Sequence, residues 1–230
     1  MHRCREGRQA SERVDGAGGG NLPGARHVQS CNTITHEETH HAMPNPRILV
    51  LYAHPAPHRS RINRRLADAA RALDGVLVHD LYETYPDFFI DVPREQALLA
   101  QAELVVFLHP IRWYSMPSLM KEWVDSVLEA GWAYGPGATA LRGKGYWLAV
   151  TTGSPEEAYR PGGRHGRPFD AYLPPFEQTA LLCGMQWWPP HILHGANGAD
   201  DATVEAHVAH FRARLEAFLL TTPKERADGA

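Results

Sequence analysis

Three short segments of the 230-residue sequence concentrate the polar, aromatic and glycine residues that ligand chemistry needs. The first is His54-Pro-Ala-Pro-His-Arg-Ser60, with Asn63 three residues later. If Ser60 caps a helix, the unsatisfied N–H groups and positive dipole end of that helix can hold a phosphate. His54, Arg59, Ser60 and Asn63 supply further donors. Neither G-x-G-x-x-G nor G-K-[ST] is present there, which argues against a Rossmann-type NAD site or an ATPase. An ordinary capped helix with a polar lead-in would use the same residues. The second segment, His109-Pro-Ile-Arg-Trp-Tyr-Ser-Met-Pro117, offers backbone amides to a planar ligand, with Trp113 and Tyr114 as apolar walls. Structural packing of the same aromatics is the other reading. The third is Thr151-Thr-Gly-Ser154, followed by Tyr159 and His165. Gly153 permits close backbone approach, the threonines bring hydroxyls, and His165 can titrate near neutrality. Pro161-Gly-Gly-Arg-His-Gly166 reads as a cover or positioning loop.

Other reactive-looking residues support less. His36-Glu-Glu-Thr-His40 fits H-E-x-x-H, but lacks an apolar helical face and is followed by Pro44 and Pro46, so no metal centre is expected there. Cys4, Cys31 and Cys183 make no close pair, and Cys183 in Ala-Leu-Leu-Cys-Gly reads as a small core residue. Gly131-Trp-Ala-Tyr-Gly135 is a compact turn suited to walling a pocket or a subunit contact. Pro174-Pro175 and Pro189-Pro190 are expected to shape turns, and His207 and His210 to face solvent or a subunit boundary.

The elements that must position these segments follow from composition and period. A net charge of −3 gives no global support for nucleic-acid binding, and 43% apolar residues suffice for a sizeable core. No apolar run is long enough for a membrane span, and nothing at the start resembles a secretion signal. A reducing, cytoplasmic setting is expected. Residues 1–44 lack any apolar period and read as a disordered extension, residues 45–220 as one domain, and residues 221–230 as a flexible tail. Buried strands are expected at 47–53, 76–80, 103–108, 146–151 and 186–193, the last with the weakest signal. Helices are expected at 60–73, 94–102, 117–127, 174–183 and from 201. Alternation of this kind makes an α/β, doubly wound, five-stranded parallel sheet, and the order 2-1-3-4-5 fits the count. Ligands of such sheets sit beyond the carboxyl ends of the strands, where the three segments fall.

The same residues carry a resemblance. Tyr-Ala-His-Pro at 52–55 with Ser60 and Asn63, Leu-Tyr-Glu-Thr-Tyr-Pro-Asp-Phe at 81–88, the whole of 109–123, 131–135 and 151–154 recur in one order and spacing. In these the chain resembles the flavodoxin-like NAD(P)H:quinone oxidoreductase family, and within it the short ancillary proteins of glutathione-regulated potassium efflux. The resemblance implies FMN, or alternatively FAD, and a homodimer. It also implies two-electron reduction of a quinone by NADH or NADPH, with hydride passing through the flavin. His54, Arg59, Ser60 and Asn63 would hold the flavin phosphate region. Pro110, Ile111, Arg112, Trp113 and Tyr114, with Thr151, Thr152, Gly153 and Ser154, would line the isoalloxazine. Tyr159 and His165 match the pair that stabilises charge on the reduced flavin. Ser154 departs from the more usual second glycine of Thr-Thr-Gly-Gly. The alternative function is a regulatory subunit of a potassium/proton antiporter that uses the flavin for docking or redox sensing. The protein would then attach peripherally at the inner face of the membrane.

Overall fold

The computed structural model describes residues 46–221. The His36–His40 motif and the two segments expected to be disordered or flexible lie outside the described residues, apart from their junctions with the core. Five strands form one parallel sheet in the order β2-β1-β3-β4-β5. They are β1 Ile48–Tyr52, β2 Val76–Asp80, β3 Leu104–Pro110, β4 Gly145–Thr151 and β5 Gln186–Leu193. The helices are α1 Ile62–Arg71, α2 Leu81–Thr84, α3 Val92–Gln101, α4 Ser118–Val127, α5 Pro174–Leu182 and α6 Asp201–Leu220.

The alternation of side chains along the strands divides the interior into two cores. Ile48, Val50, Leu104, Val106 and Trp147 meet Ile62, Leu66 and Ala70 of α1, and Val204, Phe211 and Leu215 of α6. On the other face Leu49, Leu51, Phe107 and Tyr146 meet Leu99 of α3, Trp123 of α4 and Phe176 of α5. Because both faces are covered, the central strands are unbroken apolar runs.

Local chemistry explains where the elements depart from the sequence pattern. α3 starts at Val92 rather than 94 because the Asp91 carboxylate accepts from the Arg94 N–H and Pro93 suits the first turn. The four-residue α2 has no periodic stripe to betray it, but Asp80 caps it by accepting from the Tyr82 and Glu83 N–H groups. Pro174-Pro175 opens α5. Pro189-Pro190, expected to shape a turn, lies within β5 instead. β5 is an edge strand, and its register slips between Trp147↔Trp188 and Ala149↔His191, so one extra residue bulges where the prolines cannot donate. The Trp147 Nε1–H donates to the freed Pro189 carbonyl at 3.2 Å.

Two groups of buried polar residues fasten helices to the sheet. Glu95 of α3 is fully buried and accepts from His79 Nε2 at 2.9 Å, Tyr85 OH at 2.5 Å and Trp123 Nε1 at 2.8 Å. Burial alone would raise its pKa, but the hydrogen bonds from His79 and Tyr85, the charge of His79 and the bond from Trp123 together hold it below the usual carboxylate range. On the opposite face His191 of β5 stacks on His207 of α6 with ring centroids 3.8 Å apart, and its Nε2 lies 3.2 Å from the His207 carbonyl. His207 therefore packs inward, contrary to the sequence expectation, whereas His210 is exposed. Cys183 is buried, and burial raises its thiol pKa, as suits a core residue.

These histidines give a defined pH response. Burial, with the charges of His207 and His210 added, drives His191 down to about 3, and burial drives His207 and the wholly enclosed His109 down to about 4. In the unfolded chain each takes up a proton near about 6.5. As pH falls below that value the unfolded state binds more protons than the folded one, so stability falls, by up to about 1.4 kcal/mol per pH unit for each histidine. Urea unfolding followed from about pH 7 to about pH 5 is expected to show this steep loss. A flat profile would contradict the burial of these rings.

Candidate functional site

The carboxyl ends of β1, β3, β4 and β5 converge, and backbone hydrogen bonds continue past the strands into the loops. Ala53 N–H donates to Leu108 O at 3.0 Å, Ile111 N–H to Thr151 O at 2.8 Å, Thr152 N–H to Leu193 O at 2.9 Å and Ala196 N–H to Thr152 O at 2.8 Å. The loops are thereby held almost as extensions of the sheet.

A cavity of about 300 Å³ opens between them. Its wall includes His54, Arg59, Ser60, Asn63, Pro110, Ile111, Arg112, Thr151, Thr152 and Gly153, all singled out in the sequence. Among the described residues the wall carries three arginines, Arg59, Arg61 and Arg112, and no carboxylate. Burial, then the nearby Arg112 charge, holds His54 below its ordinary pKa, and its Nδ1 accepts from Ala56 N–H at 3.2 Å. The wall is therefore shaped for an anion.

Ser60 is placed differently from the sequence reading. The helix begins one residue later, at an Arg61 cap whose side chain makes no capping hydrogen bond. Ser60 ends a short 3-10 turn over Pro57–Arg59, and its Oγ accepts from the buried Tyr52 hydroxyl at 2.8 Å. The first-turn N–H groups of α1 are left without a side-chain cap. Asn63 within that turn is 2% exposed, yet neither Nδ2 nor Oδ1 has a hydrogen-bond partner among the described residues. A buried carboxamide with no partner is costly, and here it borders the cavity, where a bound polar group would complete it.

A second cavity of about 300 Å³ adjoins the first, sharing Ile111 and Gly153. Trp113, Tyr114, Ser154, Tyr159, Arg164 and His165 complete it. Tyr159 is buried and stacks on His165 with centroids 4.3 Å apart. Tyr114 stacks on Tyr172 at 4.8 Å. Every residue expected to bind or act therefore borders one of the two cavities. The 131–135 turn borders neither.

Ala56, Arg61 and Ile62 of the His54–Asn63 segment also line the first cavity, whereas the sequence reading gave no binding role to Ala196 and Asn197 there or to Arg164 in the second. Ala196 and Asn197 follow β5, and the rule that ligands gather at strand ends would have found them, had that strand's weak pattern been trusted. The Gly153 backbone faces the Asn197 side chain, and a Cβ there would meet Asn197 Nδ2 at 3.4 Å, an ordinary contact.

Backbone strain marks the wall between the cavities. Arg112 and Ser115 exchange both backbone hydrogen bonds, at 2.9 and 3.0 Å, around Trp113 and Tyr114, whose φ values are +49° and +64°. Two left-handed central residues make a type I′ turn, which ordinarily takes Asn and Gly. Trp113 is 92% exposed, so packing does not repay its conformation.

Comparison with known proteins agrees with this architecture. Residues 46–217 match the family model described as flavodoxin-like fold. The chain is 48% identical over 171 residues to the glutathione-regulated potassium-efflux system ancillary protein KefF of Citrobacter koseri, covering 74% of this chain and 96% of that protein. Three solved structures are similar. A chain described as the thermophilic tryptophan halogenase of Streptomycin violaceusniger has a TM-score of 0.70 and 39% identity, over 76% of this chain and 99% of that one. General stress protein 14 of Treponema denticola, in complex with FMN, has a TM-score of 0.70 and 38% identity, over 75% and 99%. An NADPH-quinone reductase from P. pentosaceus has a TM-score of 0.66 and 26% identity, over 72% and 95%.

The strained turn provides a test. Trp113→Asn is expected to raise the free energy of unfolding by about 1 kcal/mol, since asparagine tolerates the left-handed region. Urea denaturation measures it, and a loss of stability would show that the tryptophan is held by packing instead.

Proposed function

The chain belongs to the flavodoxin-like fold family, and on that premise we propose that it binds FMN and acts as the flavin-bearing ancillary subunit of a glutathione-gated potassium/proton antiporter. The observation that carries the reading is the carboxylate-free, arginine-lined cavity at the start of α1, with the unpartnered Asn63 amide on its wall. That donor set fits a terminal phosphate. Asn63, Arg59, the His54 loop and the first-turn N–H groups of α1 would hold it. The 110–114 and 151–154 segments would flank the ring, and the compact core favours FMN over FAD. The antiporter role rests on the likeness to the potassium-efflux ancillary protein, which spans nearly all of that relative. On this reading the protein would be a homodimer in the cytoplasm, attached at the inner face of the membrane.

A second reading, compatible with the first, is NAD(P)H:quinone oxidoreduction. The aromatic cavity adjoining the phosphate cavity favours it, because successive planar reactants need a common apolar surface. FMN, when bound, supplies the acceptor and donor of two electrons. Trp113 and Tyr114 would then shield that surface from water, while Tyr159 and His165 would offer hydrogen-bond donors where negative charge builds up. The likeness to an NADPH-quinone reductase supports this at the level of the family.

Titration with FMN and with riboflavin, which lacks the phosphate, separates the possibilities. Asn63→Asp is expected to weaken FMN by about tenfold or more, through charge repulsion and loss of an amide donor, and riboflavin far less. Equal weakening of both would place the phosphate elsewhere, and no flavin binding by the native protein would overturn the cofactor. With flavin bound, steady NAD(P)H-dependent quinone turnover would establish the enzyme. Bound flavin without turnover, together with specific association with the antiporter, would establish the regulatory subunit alone.

A further inference from the structure

Ser154 stands where the resembled family more usually has glycine, and the structure gives its side chain a partner. Its Oγ lies 2.9 Å from His165 Nε2, and the other ring nitrogen, Nδ1, lies 3.3 Å from the Tyr114 hydroxyl. The backbone beneath the serine is fixed. Its carbonyl accepts from the Thr152 hydroxyl at 2.7 Å and from Gly195 N–H at 2.8 Å. Since Thr152 spends its single proton on that carbonyl, its 3.0 Å contact with His194 Nδ1 must run from the histidine N–H to the threonine oxygen.

The histidine is also tied by its backbone. His165 N–H donates to Ala158 O at 3.0 Å, and the Tyr172 hydroxyl donates to His165 O at 3.2 Å. Gly163 allows this, because a Cβ there would come within 2.7 Å of Ala158 O. The glycine-rich segment is thus a compact mount for the imidazole, not a loose cover.

We infer that Ser154 is a positioning residue that holds His165 in its Nε2–H tautomer, with the ring fixed between Ser154 and Tyr114 at the edge of the second cavity. A phenol is a better donor than acceptor, so the Tyr114 O–H donates to Nδ1 and the His165 Nε2–H donates to Ser154 Oγ. The hydroxyl proton of Ser154 is then free to serve an acceptor in the cavity. Stacking of Tyr159 on the ring, 18° from parallel, fixes the remaining degree of freedom. For the proposed reaction the consequence is that His165 offers its donor through the Ser154 hydroxyl, whose own proton is left for the reactants. That consequence rests on the flavin reading, while the tautomer itself does not.

Ring nitrogen NMR of the full chain with labelled histidine tests the assignment, the His165 signals being identified by their loss in His165→Asn. The native protein is expected to show a single Nε2–H pattern at neutral pH. Ser154→Ala and Ser154→Gly are expected to lower the tautomer ratio by about fivefold, the ratio that one hydrogen bond of ordinary net strength sustains. Ser154→Thr, which restores the hydroxyl, is expected to recover it. Glycine is the residue usual at this position in the resembled family, so folding of that variant is not at issue. An unchanged pattern in both hydroxyl-free variants would overturn the positioning role. Absence of FMN binding by the native protein, with the tautomer behaving as expected, would overturn the proposed function and leave the positioning role intact.

Discussion

Parallel pairing of β1 with β3 is the constraint on which the rest depends. β1 lies between β2 and β3, with Tyr52 level with Asp80 on one side and Leu108 on the other. After β1 the chain passes to α1 on one face of the sheet, and after β3 it passes to α4 on the opposite face. The two connections diverge, and nothing in the sheet fills the gap at their common end. The cavity is a product of strand order, and the loops supply only its lining. Because the ladder of backbone bonds runs on into those loops, the lining is positioned by the sheet itself.

The buried polar groups divide into those the fold completes and those it leaves open. Glu95 has three donors, from β2, from the residue that ends α2 and from α4, and this arrangement rigidifies the far core without offering anything to a ligand. His109 Nε2 and His207 Nε2 are enclosed with no hydrogen-bond partner among the described residues, which the fold accepts by keeping both rings neutral. Asn63 differs from these because an amide cannot escape its polarity by losing a proton, and its neighbourhood is a cavity instead of packed core. The strained Trp113-Tyr114 turn belongs with Asn63. Each is a local cost at the rim of the cavities, and in the turn only Tyr114 recovers part of it, by stacking on Tyr172.

The central strands and the long helices were legible because burial on both faces leaves uninterrupted apolar runs and each helix presents one apolar stripe. The residues that line the two cavities were legible for a different reason, since polar, aromatic and glycine residues stand out directly after apolar strands. What escaped was local. The four-residue α2 depends on one aspartate cap, too short a pattern to register. Ser60 has the right chemistry for a cap, but Tyr52 captures its hydroxyl, a contact eight residues away that no helical pattern encodes. The diproline in β5 reads as a turn because an edge position and a bulge are properties of the assembled sheet. Asn197 was hidden by that same strand, and Arg164 by a segment whose turns are set by tertiary contacts.

Arg47, at the start of the core, grips its far end. Its guanidinium donates to Glu103 at 3.2 Å, to Leu219 O at 2.6 Å and to Thr221 O at 2.8 Å, and it lies over the Phe218 ring. The two ends of the folded region are therefore fastened together at the amino edge of the sheet, a full strand length from the cavities at the carboxyl edge. Residues 47 and 221 therefore both lie on the side of the sheet away from the cavities. A direct link from residue 221 back to residue 47 would thus close the described region into a ring without crossing the cavities, so that new ends could be opened elsewhere on its surface.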